Sequence, residues 1–261
     1  MNLATVRLGL VKHLNAHPLD FGFRKHGGHS LHEDTPARLY SMLGEGQLDA
    51  ALISSVECLR NEHRFAYCRS VGVCCSGALR SILYFESREG RKELDLKARP
   101  PARIHADSGS RSSVALLQVL YHSSTGGLPF LNSMEPERIP ESVLAESDSG
   151  GLLIGDAALD FTERPDIDRF LVADLGQWWK DREGLPFVFA LWAYPKEHPV
   201  ADSMFEESLS AGLDHLDEIA ASSRFSFARH YITDLLHYRL GTPEWQALQR
   251  FRDRLQALDL L

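Results

Sequence analysis

The chain has 261 residues, of which 44% are apolar and 25% charged, and a formal net charge of −8. This composition fits a globular protein of one large domain or two small ones and excludes a disordered chain. The acidic surplus argues against nucleic acid as the main partner, and no apolar run approaches the ~20 residues that a membrane span needs.

A small anionic ligand is compatible with this balance if a local pocket of amides, hydroxyls and an occasional arginine offsets the overall field. The opening run MNLATVRLGLVKHLN has no basic start leading into a long apolar middle, so it does not read as a signal peptide. Cys58, Cys68, Cys74 and Cys75 include no Cys-x-x-Cys pair. They predict reduced thiols in a cytoplasmic protein, without a zinc site.

Residues 6–10 predict a short buried strand that gives way at Lys12-His13 and presents His13, Leu14 and Asn15 before a turn closed by Pro18. Such a strand delivers side chains to the carboxyl edge of a sheet, where open α/β folds bind ligands. Asn15 brings two donors and an acceptor to that edge; the alternative is that it only shapes the turn. His26, His29 and His32 are spaced by three, but Gly27-Gly28 prevents a common helix face, so 26–34 predicts a solvated loop rather than a metal site.

Thr35-Pro36 opens a helix that runs to about residue 45 and stops at Gly46. Residues 48–53 read as a strand buried on both faces, as in a parallel sheet. Ser54-Ser55 then caps a helix over 56–61, whose amino terminus favours anions. A strand over 65–71 follows. Residues 73–85 predict a strand passing between two bodies, and the charged block 87–103, ending in Pro100-Pro101, marks a boundary.

A second series begins with a strand over 102–106, passes through Asp107-Ser108-Gly109-Ser110-Arg111-Ser112-Ser113, and enters a helix over 114–121. Helix-start amides, the helix dipole and several hydroxyls make this the best anion cradle in the sequence. For any single serine a plain capping role is the alternative. Residues 123–127 predict a loop, 140–145 a helix, and 151–156 a buried strand ending in Gly155-Asp156. Residues 170–174 predict a strand and 175–183 a helix, with one of Trp178 and Trp179 in the core and the other over a cleft. Residues 186–194 mirror 73–85 and predict the return crossing. Helices over 204–220, 227–236 and 243–258 follow, with Arg250, Arg252 and Arg254 on a solvated face. Two crossings imply two hinged lobes about a cleft, 1–85 with 190–261, and 86–189.

The chain resembles the chorismate dehydratases of the futalosine route to menaquinone. The resemblance rests on an ordered set: Leu14-Asn15 with Pro18-Leu19; Pro36-Ala37-Arg38-Leu39 through Leu48-Asp49-Ala50-Ala51-Leu52-Ile53-Ser54 to Val56-Glu57; Arg80-Ser81-Ile82; Asp107-Ser108 with Ser110-Arg111-Ser112-Ser113; Leu153-Ile154-Gly155-Asp156-Ala157-Ala158; Asp174-Leu175-Gly176 with Trp179; and Gly184-Leu185-Pro186-Phe187-Val188-Phe189-Ala190 with Trp192. Where that family usually reads Ser-Tyr-Leu-Asn, this chain has Lys12-His13-Leu14-Asn15.

The resemblance implies an α/β, two-lobed periplasmic-binding-protein-like fold (type 2, Venus-flytrap) with the ligand in the cleft between the lobes. It implies elimination of water from the chorismate dianion, giving 3-[(1-carboxyvinyl)oxy]benzoate, with no metal, nucleotide or redox cofactor. Asn15 is then the catalytic candidate, positioning the leaving hydroxyl or the enolpyruvyl group. Ser108, Ser110, Arg111 and Ser112 are the expected carboxylate holders, with Ser54 and Ser81 in the opposite wall. Gly155 and Asp156 complete the expected substrate-binding set. No Glu or Asp stands out as a base, which leaves the substrate's own enolpyruvyl carboxylate as proton acceptor. A non-catalytic small-anion binder of the same fold, and an enzyme acting on another cyclic carboxylic acid, are the alternatives; His13 keeps the latter open.

Overall fold

A computed structural model describes residues 5–107, 109 and 111–261. The chain opens with β1 (Arg7–Val11), whose Leu8, Leu10 and Val11 are buried. After a short turn, α1 (His17–His26) begins with Pro18 in its first turn, where a missing N–H is no loss. Pro18 therefore opens a helix rather than closing a turn. Next come β2 (Ser30–Asp34), α2 (Pro36–Gly44), β3 (Ala50–Ser54), α3 (Ser55–Arg60) and β4 (Phe65–Cys75). The middle of the chain supplies β5 (Ile82–Ser87), β6 (Arg103–Asp107), α4 (Arg111–Thr125), β7 (Leu131–Met134) and α5 (Ile139–Ala145). It continues with β8 (Ser149–Ile154), α6 (Gly155–Thr162), β9 (Phe170–Asp174) and α7 (Leu175–Glu183). The last part holds β10 (Phe187–Pro195), α8 (Asp202–Leu213), α9 (Leu216–Ala221) and α10 (Ala228–His230). A π-helical turn (Tyr231–Leu235), β11 (Leu236–Arg239) and α11 (Thr242–Gln256) end the fold.

Two mixed sheets result, ordered β11-β4-β10-β3-β1-β2 and β7-β6-β8-β5-β9. Each contains a parallel trio, β2/β1/β3 and β7/β6/β8. Each also contains a strand running against its neighbours: β10 opposes β3 and β4, and β5 opposes β8 and β9. The crossing expected over 73–85 is therefore two strands, because β4 ends at Cys75 in one sheet and β5 begins at Ile82 in the other. Residues 82–85 accordingly sit with the second sheet, and 187–189 with the first. This moves both lobe edges a few residues from the expected 85/86 and 189/190.

Strands β2, β7 and β11 were not expected. All three lie at sheet edges and arise from pairing with β1, β6 and β4 rather than from an apolar alternation of their own. β2 has four exposed residues and one half-buried one, so 26–34 carries strand structure only through its ladder. Helix α4 absorbs 123–125, and the helix expected over 204–220 divides at Asp214–His215.

One hydrophobic cluster spans the first sheet, α4 and one face of the second sheet. The other face of the second sheet has its own core, built on Leu83 and Phe85 with Ile139, Val143, Leu153, Phe161 and Phe170. Alternation along β5 decides which residue serves which cluster. Trp179 is fully buried against Phe187 and Phe251, and its Nε1–H donates to Pro186 O at 2.9 Å. Trp178 lies beside Tyr84 in a groove of the second lobe and does not line the interlobe cavity. Arg250 and Arg254 pair with the buried Glu183 carboxylate, and Arg252 pairs with Glu62. The arginine face of α11 is thus solvated, as expected, and its guanidinium groups also tie the helix to Glu183 and Glu62.

The tightest helix contact is α1 against α8. A Cβ on Gly212 would stand 2.0 Å from Pro18 O, and one on Gly22 would stand 2.5 Å from Ser208 Cα. Ser208 Oγ donates to Leu19 O at 2.8 Å across the same contact. Gly212→Ala must push the helices apart and is expected to cost about 3 kcal/mol or more. That lowers the melting temperature by roughly 2–4 °C per kcal/mol, which calorimetry measures. An unchanged midpoint would contradict the contact.

Candidate active site

The carboxyl ends of β1, β3 and β8 converge where the lobes meet, which is where side chains can leave a parallel sheet toward a ligand. They enclose a cavity of about 60 Å³. Val11, Leu52, Val73, Ile82 and Phe189 make its apolar walls; His13, Asn15, Ser54, Ser81, Ser112 and Ser113 supply the polar atoms. Its small size reflects lobes in direct contact. Ser55 Oγ–H donates to Val188 O at 2.6 Å. The hydroxyl of Ser112 then donates to Ser55 Oγ at 3.2 Å and accepts from Val56 N–H at 3.1 Å. Arg111 and Glu57 pair across the same seam at 3.0 Å.

Asn15 reaches the cavity from the turn after β1, and its amide has no side-chain hydrogen bond among the described residues. Ser54, the last residue of β3, makes no capping bond to α3, so its hydroxyl is not used locally. Ser81 precedes β5 and is almost fully buried. Its Oγ accepts from the Tyr231 phenol at 2.8 Å, and its carbonyl accepts from Gly155 N–H at 2.8 Å. Burial pushes the Tyr231 phenol pKa up, so it stays a donor. The proton of Ser81 itself is left for an acceptor in the cavity. Tyr231 was missed in sequence because it lay in a segment read as an ordinary helix.

Of four further expected residues, Ser112 and Gly155 line the cavity and Arg111 and Asp156 do not. Arg111 does not line the cavity; its guanidinium is held by the buried Glu57 carboxylate and lies over the Tyr40 ring. The Ser112 hydroxyl is committed to the lobe seam. Gly155 N–H is spent on Ser81, so Gly155 contributes a bare backbone wall, not an anion donor. Asp156 stands outside the lining, with Oδ1 3.9 Å from His13 Nδ1. Ser108 and Ser110 lie outside the described residues.

His13 projects from the first lobe onto Gly155 of the second, where an added Cβ would lie 3.1 Å from Nδ1. Gly155 has φ 54, a conformation that costs other residues strain. Burial holds the His13 imidazole below the ordinary histidine range; Asp156 opposes this, and Lys12 and His17 reinforce it. The site is therefore a neutral, hydroxyl- and amide-lined chamber. Among the described residues, no group of three or more His, Cys, Asp or Glu side chains is placed to hold a metal ion. No helix among them is long and apolar enough to cross a membrane.

Residues 6–257 match the family model described as menaquinone biosynthesis. The chain is 28% identical to the chorismate dehydratase of Thermus thermophilus over 281 residues, covering 95% of this chain and 94% of that protein. It is 23% identical to the chorismate dehydratase of Campylobacter jejuni, covering 97% and 95%. Among solved structures it resembles a Candida albicans protein described as having the generic periplasmic-binding-protein fold. That likeness has a TM-score of 0.63 and 13% identity, over 99% of this chain and 91% of the other. The two lobes, the cavity at their strand ends and a match along nearly the whole length agree: the chain belongs to the menaquinone biosynthesis family and has a periplasmic-binding-protein-like α/β fold.

Proposed function

We propose that the protein is a chorismate dehydratase, a lyase that removes water from chorismate to give 3-[(1-carboxyvinyl)oxy]benzoate. The reading extends to a cytoplasmic enzyme of the futalosine route that works without a metal or redox cofactor. The observation that carries it is the unpartnered Asn15 amide facing a hydroxyl-lined chamber, in a chain alignable end to end with two chorismate dehydratases.

The chemistry suits the chamber. Chorismate is a dianion with an allylic hydroxyl on a cyclohexadiene, and loss of that hydroxyl with the neighbouring ring proton makes the ring aromatic. Little intrinsic driving force has to be supplied. The protein has to hold the carboxylates, orient the hydroxyl and exclude water. The Ser54 and Ser81 hydroxyls and the start of α4 are suited to the carboxylates. The amide of Asn15 is suited to the leaving oxygen, donating as that oxygen gains charge. The lobes must part to admit the substrate and close to complete the chamber.

The direct test incubates the purified protein with chorismate in EDTA and follows product by chromatography and mass. Loss of one water is expected, and intact chorismate would overturn the reading; a thermal-shift response without turnover would identify a binder. Asn15→Ala should lower kcat by ~10²–10³-fold, as removal of an oxyanion donor does elsewhere, while chorismate binding changes only a few-fold; unchanged turnover removes Asn15 from the mechanism. Ser112→Ala removes bonds that exist only between closed lobes, worth about 1 kcal/mol. Calorimetric affinity for chorismate should fall about five-fold, and an unchanged affinity would show that the seam does not set closure.

A further inference from the structure

Among the described side chains that line the cavity, His13 is the single titratable one. The others are apolar, hydroxyl or amide, and none of these is basic enough to accept a carbon-bound proton. The Nδ1 atom of His13 faces Asp156 Oδ1 at 3.9 Å. That carboxylate oxygen is buried and has no hydrogen-bond partner among the described residues. His13 rides on the first lobe and Asp156 on the second, so the pair exists only when the lobes are closed. With Nδ1 turned toward that carboxylate, the ring has Nε2 left for a ligand, the division of labour that a carboxylate favours in a catalytic histidine.

We propose that His13 is the catalytic acid–base residue of the dehydration and that Asp156 is its positioning residue, assembled by lobe closure. The proposal rests on the chorismate reading above. Neutral His13 takes the proton from the ring carbon that bears the enolpyruvyl ether. The C–H electron pair becomes the new ring double bond, and the C–O pair leaves with the hydroxyl oxygen on the neighbouring carbon. The imidazolium then gives its proton to that oxygen. One water departs, the ring is aromatic, and His13 is neutral again, so atoms and electrons close without a co-reactant. Asn15 steadies the oxygen while the proton is in transit.

The groups that face His13 set its pH behaviour. Asp156 on α6 favours the charged form; burial, Lys12 and His17 oppose it. Tyr231, on the π-helical turn behind, stays a neutral phenol, and Arg224 is occupied by Asp160 on the same helix as Asp156. A base must be unprotonated to act, so kcat/KM should fall on the acid side, through a pKa below the ordinary histidine value of ~6.5.

The test compares wild type, His13→Gln and Asp156→Asn in the chorismate assay across pH, with melting temperature and calorimetric affinity for chorismate recorded for each. Wild type should turn over with that acid limb. His13→Gln should bind chorismate within a few-fold yet lose ~10²–10⁴-fold in kcat, and the limb should vanish. Asp156→Asn should shift the limb to lower pH, because an anion favouring the imidazolium is gone; a merely structural role would leave its position unchanged. His13→Asn replaces His13→Gln if the latter does not fold. A His13→Gln or His13→Asn variant that keeps both kcat and the limb would overturn the proposal in favour of proton transfer to the substrate's own carboxylate, with the chorismate reading intact. Absence of turnover in wild type would overturn that reading and this proposal together.

Discussion

The Asp174 carboxylate holds the two halves of the site in register. Its Oδ1 accepts from Gly176 and Gln177 N–H at 2.9 and 3.2 Å, which starts α7. Its Oδ2 accepts from Leu79 and Arg80 N–H at 2.9 and 2.7 Å, on the segment that links the sheets. Ionised acceptors make the stronger class of hydrogen bond, and here one side chain fixes both a helix start and a crossing. Arg80 sits at φ 65, left-handed for a residue with a Cβ. Such strain persists only where the surroundings over-determine the backbone. The guanidinium of Arg80 adds to that restraint through Thr162, Glu163 and the Phe227 ring. The next residue is Ser81, so the geometry of a cavity hydroxyl is inherited from this anchor.

Closure of the lobes has a different character. The seam joins them through Ser55, Val56 and Ser112, the Arg111–Glu57 pair, and the Arg224–Asp160 pair at the surface. Each is polar, and exposed pairs contribute little. The lobes also share a continuous apolar cluster through α4 and the buried Trp179, so their contact rests on burial as well as on these polar bonds.

Much of the fold was legible because its signals are local. Thr35-Pro36 started α2 where expected, the apolar run before Ser54 became β3, and 170–174 and 175–183 are the observed β9 and α7. The turn after β1 did bring Asn15 to a cavity at the strand ends. What escaped is non-local. Edge strands β2, β7 and β11 owe their form to a neighbour's ladder, and Arg111 looked like an anion ligand until folding placed Glu57 beside it. The approach of His13 to Asp156 joins residues 13 and 156 across two lobes, and no spacing rule in one sequence encodes that distance.

The position of β10 has a consequence for how the chain is made. β10 lies between β3 and β4 in the middle of the first sheet, yet its residues follow the whole second lobe. During synthesis β1–β4 leave the ribosome with a gap where β10 belongs, and β3 and β4 expose unpaired edges of the kind that invite aggregation. The second sheet is contiguous in sequence, from Ile82 to Asp174, and domains tend to fold as units as they emerge. The later lobe can therefore consolidate first, with the earlier one waiting for its central strand. The last stage of folding then falls in the half of the protein that carries His13 and Asn15.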